Sequence, residues 1–221
     1  MDNKSLKLHL GCGMNYLEGY INIDLPLDNQ TIMRARADVY ADIRTLKYAE
    51  DSVDEIRTHH LLEHFSRTES LRLLLQWRKW LRPGGLLHVE TPDFENAVKA
   101  FLQVPLSQKF KIARHIFGSH ESDWAFHKDF WSQEKFAFVL TTLGFERCEF
   151  NPQIVYTSGI MPDRFSHIAQ KIAPNMVDAL HNITVKAYKS HDAIDEEIVT
   201  REILSKSLLG KEEGIHDVWM K

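Results

Sequence analysis

Apolar and polar positions alternate from Leu6 to Leu10 (LKLHL), and the alternation stops at Gly11-Cys12-Gly13, which predicts a first strand ending in a glycine loop. Tyr20 to Asp24 (YINID) is β-rich and closes on an acid, predicting a second strand. Val39-Tyr40-Ala41-Asp42 predicts a third and Asp54 to Thr58 (DEIRT) a fourth. The period then changes. Ser66-Arg67-Thr68-Glu69 has capping-box spacing, in which hydroxyl and carboxylate satisfy orphan amides. Leu71, Leu74, Leu75, Trp77, Trp80 and Leu81 follow at helical spacing. Arg82-Pro83-Gly84-Gly85 ends that helix, because proline cannot continue it and glycine accepts a left-handed turn. Leu86 to Glu90 (LLHVE) predicts a fifth strand, halted by Thr91-Pro92-Asp93. Residues 94–131 are less regular, with two helices expected. Ser132 can cap a helix running to Leu143, with Gly144 at its end. Phe145 to Phe150 and Ile183 to Tyr188 predict two final strands, and the segment between them has no assignment. Asp192 to Leu209 predicts an amphipathic tail helix through Ile194, Ile198, Ile203 and Leu208.

Strands alternating with helices predict an α/β fold, an open and mostly parallel sheet with helices on both faces. In such sheets ligands sit beyond the carboxyl ends of the strands, where Gly11, Gly13, Asp24, Asp42, His59, His60 and Asp93 all fall. The 221 residues suit one domain, here 1–190 with insertions near 94–131 and 151–182, followed by a helical tail over 191–221. The chain is 43% hydrophobic and 26% charged, so a packed core is expected rather than disorder. A net charge of −4 argues against a strongly basic nucleic-acid binder without excluding a local basic patch. Two distant cysteines, Cys12 and Cys148, predict no disulfide framework and a reducing, cytoplasmic setting. No apolar run approaches the ~20 residues that span a bilayer, and Met1-Asp2-Asn3-Lys4 does not open a signal peptide, so no membrane partner is expected. Composition is silent on oligomeric state.

Gly11-Cys12-Gly13 lets backbone approach a ligand closely, since no Cβ intrudes. Asp24, at the end of the second strand, can accept hydrogen bonds from ribose hydroxyls. Position 16 is Tyr16 where a dinucleotide fingerprint needs glycine, and no long helix fits between Gly13 and Tyr20. A ligand without phosphates is therefore expected.

Taken in order, LHLGCG, YINIDL, ADI, DEIRTHHLLEHF, LRPGGLLHVETPD and LGFERCEF resemble class I S-adenosylmethionine (SAM)-dependent methyltransferases, over roughly residues 6–188. The resemblance implies seven strands with the last antiparallel. It implies that Leu10, Gly11, Cys12 and Gly13 face the methionine part of SAM, that Asp24 holds the ribose, that Asp42 and Ile43 flank the adenine, and that His59 lines the methionine end. The chain departs from the pattern in having His9 where an acid is common, a short glycine loop without a third glycine, and no N-P-P-Y-type tetrapeptide after the fourth strand.

His59-His60-Leu61-Leu62-Glu63-His64 contains H-x-x-E-H, a zinc pattern of inverted metalloproteases when it lies on a helix. Within the methyltransferases it is similar to the E-x-x-E-H metal motif of small-RNA 2′-O-methyltransferases and ubiquinone-pathway O-methyltransferases. That likeness puts one divalent metal ion on His60, Glu63 and His64, with His127 of His127-Lys128-Asp129-Phe130-Trp131 as a further ligand. A metal there would lower the pKa of an acceptor hydroxyl. Without metal, His127 is the first candidate base and His60 the second; Asp93 completes the catalytic set. A purely structural role for the histidines stays open as well. Cys12 reads as a small packing residue, Trp77 and Trp80 as helix core, and Asp195-Glu196-Glu197 as a solvated face. Phe117, Trp124, Phe126, Phe130 and Trp131 form either an acceptor lid or ordinary packing.

Three functions follow. The first is O-methylation of a small-molecule or sugar hydroxyl. The second is metal-assisted methylation of RNA ends, which needs a basic surface such as Lys109, Lys111 and Arg114. The third is a SAM-binding regulator without acceptor chemistry.

Overall fold

A computed structural model describes residues 5–26, 34–157 and 178–219. The strands are β1 (Lys7–Leu10), β2 (Ile21–Asp24), β3 (Val39–Tyr40), β4 (Val53–His59), β5 (Leu81–Pro92), β6 (Phe145–Thr157) and β7 (Asp178–Lys189). The helices are α1 (Arg67–Trp80), α2 (Phe94–Gln103), α3 (Leu106–Phe117), α4 (Gln133–Thr142), α5 (Glu196–Ser205) and α6 (Glu213–Trp219). One sheet of seven strands runs β3-β2-β1-β4-β5-β7-β6. β1 to β5 pair in parallel, while β7 lies antiparallel between β5 and β6. The order reverses between β1 and β4, so a crevice opens there at the carboxyl ends, beyond Leu10 and His59.

The period-2 pattern sorts the strands into two faces. Leu8, Leu10, Ile56, Leu87, Val89, Val185 and Ala187 point into a core with Leu74, Trp77 and Trp80 of α1, Phe136, Val139 and Leu140 of α4, and Leu204 of α5. The alternating positions Lys7, His9, Glu55, Arg57, His59, His88, Glu90, Thr184 and Lys186 occupy the other face and are polar. α1 starts as the spacing predicts: Ser66 Oγ accepts from the Glu69 amide and Glu69 Oε2 accepts from the Ser66 amide.

Four elements differ from the sequence reading. β5 begins at Leu81 and carries Arg82 to Gly85 within it; Leu81 pairs with Val53 and Leu86 with Glu55, so a bulge absorbs the Pro-Gly-Gly stretch. β6 and β7 extend far past Phe150 and before Ile183, because each supplies the other's ladder as far as Thr157 and Asp178. The unassigned segment is therefore strand at both ends, and its residues 158–177 lie outside the described residues. The tail helix starts only at Glu196, since Asp195 accepts from the amides of Glu197 and Ile198 and caps it, and α6 follows as a further helix.

His88 on the polar face carries a stability prediction. Burial, then the charges of Arg57 on β4 and Lys186 on β7, lower its pKa to about 4 against the weaker pull of Glu55 and Glu90. The unfolded chain takes up this proton near pH 6.5 and the folded chain only near pH 4, so stability is lost as pH falls through that window. We expect His88→Gln to lose less stability than wild type between pH 7 and pH 4.5, by on the order of 1–3 kcal/mol, in urea titrations at both pH values. Parallel losses in the two proteins would remove His88 from the acid response.

Candidate active site

Gly11 and Gly13 turn the chain after β1 with φ of +63° and +53°. The loop is tied down by its neighbours: Gly13 N donates to Asp24 Oδ2 (2.6 Å), Cys12 N to the Ile23 carbonyl (3.1 Å) and Arg36 N to the Gly13 carbonyl (2.9 Å). Asp24 also accepts from the Leu25 amide at 2.7 Å, so it positions the loop while lone pairs remain for a hydroxylated ligand. Cys12 is buried, and burial pushes its thiol up to about 12, which leaves it a packing residue and no nucleophile. His9 is fully buried with Nδ1 on Asn22 Oδ1 (3.0 Å), an uncharged pair that closes the floor where an acid was the expected type. Arg57 Nε donates to His59 Nε2 at 2.7 Å, and Asn15 Nδ2 lies 3.3 Å from its Nδ1. Burial lowers the His59 pKa to about 4 and keeps the ring neutral.

Asp42 and Ile43 follow shortly after β3. Asp42 caps a short 3-10 turn and is clasped by the Arg44 guanidinium (2.6 Å), whose hydrogen bonds hold its carboxyl below the usual range. Ile43 packs into the core. Asp93 is buried and spends its carboxylate on the amide (3.2 Å) and side chain (2.6 Å) of Asn96, as the N-cap of α2. That placement makes Asp93 the residue that starts α2 at the end of β5.

The segment after β4 joins two parts of the site. A Cβ on Gly11 would meet Leu61 Cδ1 at 2.6 Å, so Leu61 covers the glycine loop. Two residues on, Glu63 is buried and lines a cavity of about 230 Å³ with Pro92, Phe94, Phe117, His127, Phe130 and Trp131, among others. Backbone bonds hold this wall: Lys128 N donates to the Glu63 carbonyl (2.8 Å) and His127 N to the Phe117 carbonyl (3.0 Å). The turn between them needs Gly118, where φ is +92° and any Cβ would press on the Ala125 carbonyl.

Of the four residues expected to converge, the structure brings three together. One ligand atom each of Glu63, His64 and His127 lies within 4.8 Å of the others. His127 Nδ1 donates to the Ile116 carbonyl (3.2 Å) and His64 Nδ1 to the Phe126 carbonyl (3.3 Å), which leaves both Nε2 lone pairs available. Glu63 Oε2 is buried with no hydrogen-bond partner. Burial lowers the His127 pKa to about 4, so its ring is neutral at neutral pH. His60 stands apart from the three. Its φ is +48°, and its ring meets Glu63 Oε1 (3.2 Å) and Glu90 Oε1 (3.5 Å). Burial opposes its charge, but the two carboxylates outweigh it and push the pKa up to about 10. The Asn182 Nδ2 group also faces His60 Nε2 at 3.2 Å, so the ring is held between Glu63, Glu90 and Asn182. Glu63 in turn is held below the usual carboxylate range, since His60 and the neighbouring imidazoles outweigh its burial. Sequence reasoning missed Leu61, Arg57 and Glu90; the last ends a polar stripe on β5, the one signal that marked it.

Residues 8–89 match a family described as a methyltransferase domain. The match runs from β1 into β5 and takes in the glycine loop, Asp24 and the whole 59–64 segment. No curated protein matches the chain. Among solved structures, a SAM-dependent methyltransferase from Archaeoglobus fulgidus is 14% identical with a TM-score of 0.50, over 84% of this chain and 86% of that one. Another from Methanosarcina mazei is 12% identical with a TM-score of 0.52, over 87% and 95%. A Haemonchus contortus phosphoethanolamine N-methyltransferase 2 in complex with S-adenosyl-L-methionine is 15% identical with a TM-score of 0.50; the match covers 86% of this chain but only 50% of that one. What these three share with the chain is the fold.

Proposed function

We propose that this chain, whose residues 8–89 match a methyltransferase domain, moves the methyl group of SAM to a hydroxyl of a small-molecule or glycan acceptor. The observation that carries this reading is the 61–64 segment, which touches the glycine loop through Leu61 and lines a cavity through Glu63. SAM would lie over Gly11 to Gly13 with its ribose at Asp24, and the acceptor would fill the cavity, whose walls combine aromatic rings with Glu63, Arg67 and His127. The acceptor oxygen attacks the methyl carbon, the carbon–sulfur bond breaks, and its electron pair stays on sulfur to give S-adenosylhomocysteine. The hydroxyl proton goes to His127 Nε2, and the Glu63 carboxylate beside it stabilises the imidazolium.

One observation favours a second reading, in which a metal assists the same transfer as the RNA-end alternative supposes. Glu63, His64 and His127 form a two-imidazole, one-carboxylate set, and the partnerless Glu63 oxygen is the kind of atom a cation would satisfy. Such donors suit a first-row divalent ion better than magnesium. Bound there, it would supply a lowered pKa at the acceptor hydroxyl. His60 then serves by holding the Glu63 carboxylate from behind.

Calorimetry of SAM and S-adenosylhomocysteine with and without chelator, and metal analysis of the same sample, test both readings. Nucleotide binding is expected in either case. Stoichiometric metal supports the second reading; its absence, with nucleotide binding intact, discards the triad as a metal site. No binding of either nucleotide overturns the proposal.

A further inference from the structure

We propose that the α2–α3 hairpin docks the protein on an anionic lipid surface at the mouth of the acceptor cavity. Leu102, Leu106, Phe110 and Phe117 are 57–72% exposed, far beyond what isolated surface apolar residues require. Leu106, Phe110 and Phe117 fall at i, i+4 and i+11, one stripe of α3, while Ile112 on the opposite side is buried. Leu102 adds to the stripe from the end of α2, just across the Val104-Pro105 turn.

Charge identifies the partner. Between residues 96 and 120 there are four cations, Lys99, Lys109, Lys111 and Arg114, and no carboxylate, in a chain whose net charge is −4. Helical geometry sets Lys109 and Arg114 on the two flanks of the apolar stripe, and Lys109 reaches over the Phe101 ring at 5.0 Å. An apolar ridge between cations matches a helix lying at a lipid–water boundary, with hydrocarbon below and phosphates at both sides. Nucleic acid fits less well: aliphatic Leu102 and Leu106 offer a phosphate backbone nothing. Among the described residues no helix is long and apolar enough to cross a membrane, and a helix in the interface plane needs no such span.

The stripe is continuous with the catalytic cavity. Phe117 belongs to both, and Phe130 on the cavity wall is itself half-exposed. Docking stands independently of the methyl-transfer reading. Its consequence, an amphipathic acceptor whose hydroxyl enters the cavity from the lipid side, rests on that reading.

The test is co-sedimentation of the full chain with phosphatidylcholine vesicles, with and without phosphatidylglycerol, at low and high salt. Binding to the anionic vesicles, weakened by salt, is expected. The L106E/F110E variant should bind at least tenfold more weakly while its thermal melt and SAM binding stay unchanged. K109E/R114E should lose the preference for phosphatidylglycerol but keep the fold, and it serves if L106E/F110E does not fold. Equal binding by the variants, or no vesicle binding by wild type, overturns the proposal. So does wild-type self-association that L106E/F110E abolishes in the absence of vesicles, or binding of a single-stranded RNA oligonucleotide in preference to vesicles. None of these outcomes bears on whether SAM binds.

Discussion

Gly11→Val is expected to abolish SAM binding and leave the sheet folded. Two costs meet at this position. A φ of +63° lies in the left-handed region, where a β-branched residue is strained by roughly 1–2 kcal/mol. A Cβ here would stand 2.6 Å from Leu61 Cδ1, so Leu61 must swing away. The fold absorbs both, because Leu61 is only partly buried and its side chain can turn. The site cannot. Valine's methyl groups would fill the close approach that the glycine loop leaves for a ligand, and the shift of Leu61 is passed along to Glu63. Calorimetry should show no heat at SAM concentrations that saturate wild type, with a circular dichroism spectrum unchanged and a melting temperature lowered by a few degrees. Normal binding by this variant would remove the loop from the cofactor site and with it the orientation of the whole crevice.

The glycine loop was legible in the sequence because its requirement is local: a strand must stop and backbone must stay bare. The same holds for α1, whose capping box and apolar spacing both act within one helix. The mostly parallel sheet followed from alternation of strands and helices, and its antiparallel last strand from the family resemblance. The ends of β5, β6 and β7 were not legible, because their length comes from partner strands far away in sequence: Leu81 on Val53, Thr157 on Asp178. The histidine cluster was legible in part: Glu63, His64 and His127 converge, while His60 turns away from them. Spacing in H-x-x-E-H supposes a helix, yet His60 has a positive φ and its ring turns to Glu90 at the end of the next strand. What joins Glu63 and His64 to His127 is a backbone bond from Lys128 to the Glu63 carbonyl, which no side-chain pattern encodes. Asp93 was placed correctly at a strand end, and its short carboxylate caps the first turn of α2.

His127→Ala is expected to spare SAM binding and to cut turnover about 10²-fold or more, the scale of positioned acid–base groups. The separation follows from where His127 is held. Its Nδ1 is fixed by the Ile116 carbonyl, its amide by the Phe117 carbonyl, and its ring meets His64 at 4.8 Å; none of these contacts reaches the glycine loop. Alanine keeps the backbone bonds that shape the cavity and removes the nitrogen that faces Glu63. Release of S-adenosylhomocysteine from SAM, followed over a panel of hydroxylated acceptors, supplies the rate, and calorimetry supplies the affinity for SAM. A second variant, His127→Gln, keeps polar atoms near Ile116 and bulk in the wall but offers no imidazole; it should be as slow as alanine if proton transfer is the role. Recovery of rate in glutamine would mean that His127 only packs the cavity. An unchanged rate in both would take His127 out of the chemistry. Loss of SAM binding in both would show instead that the 127–129 wall and the glycine loop are one mechanical unit, coupled through the Glu63 carbonyl and Leu61.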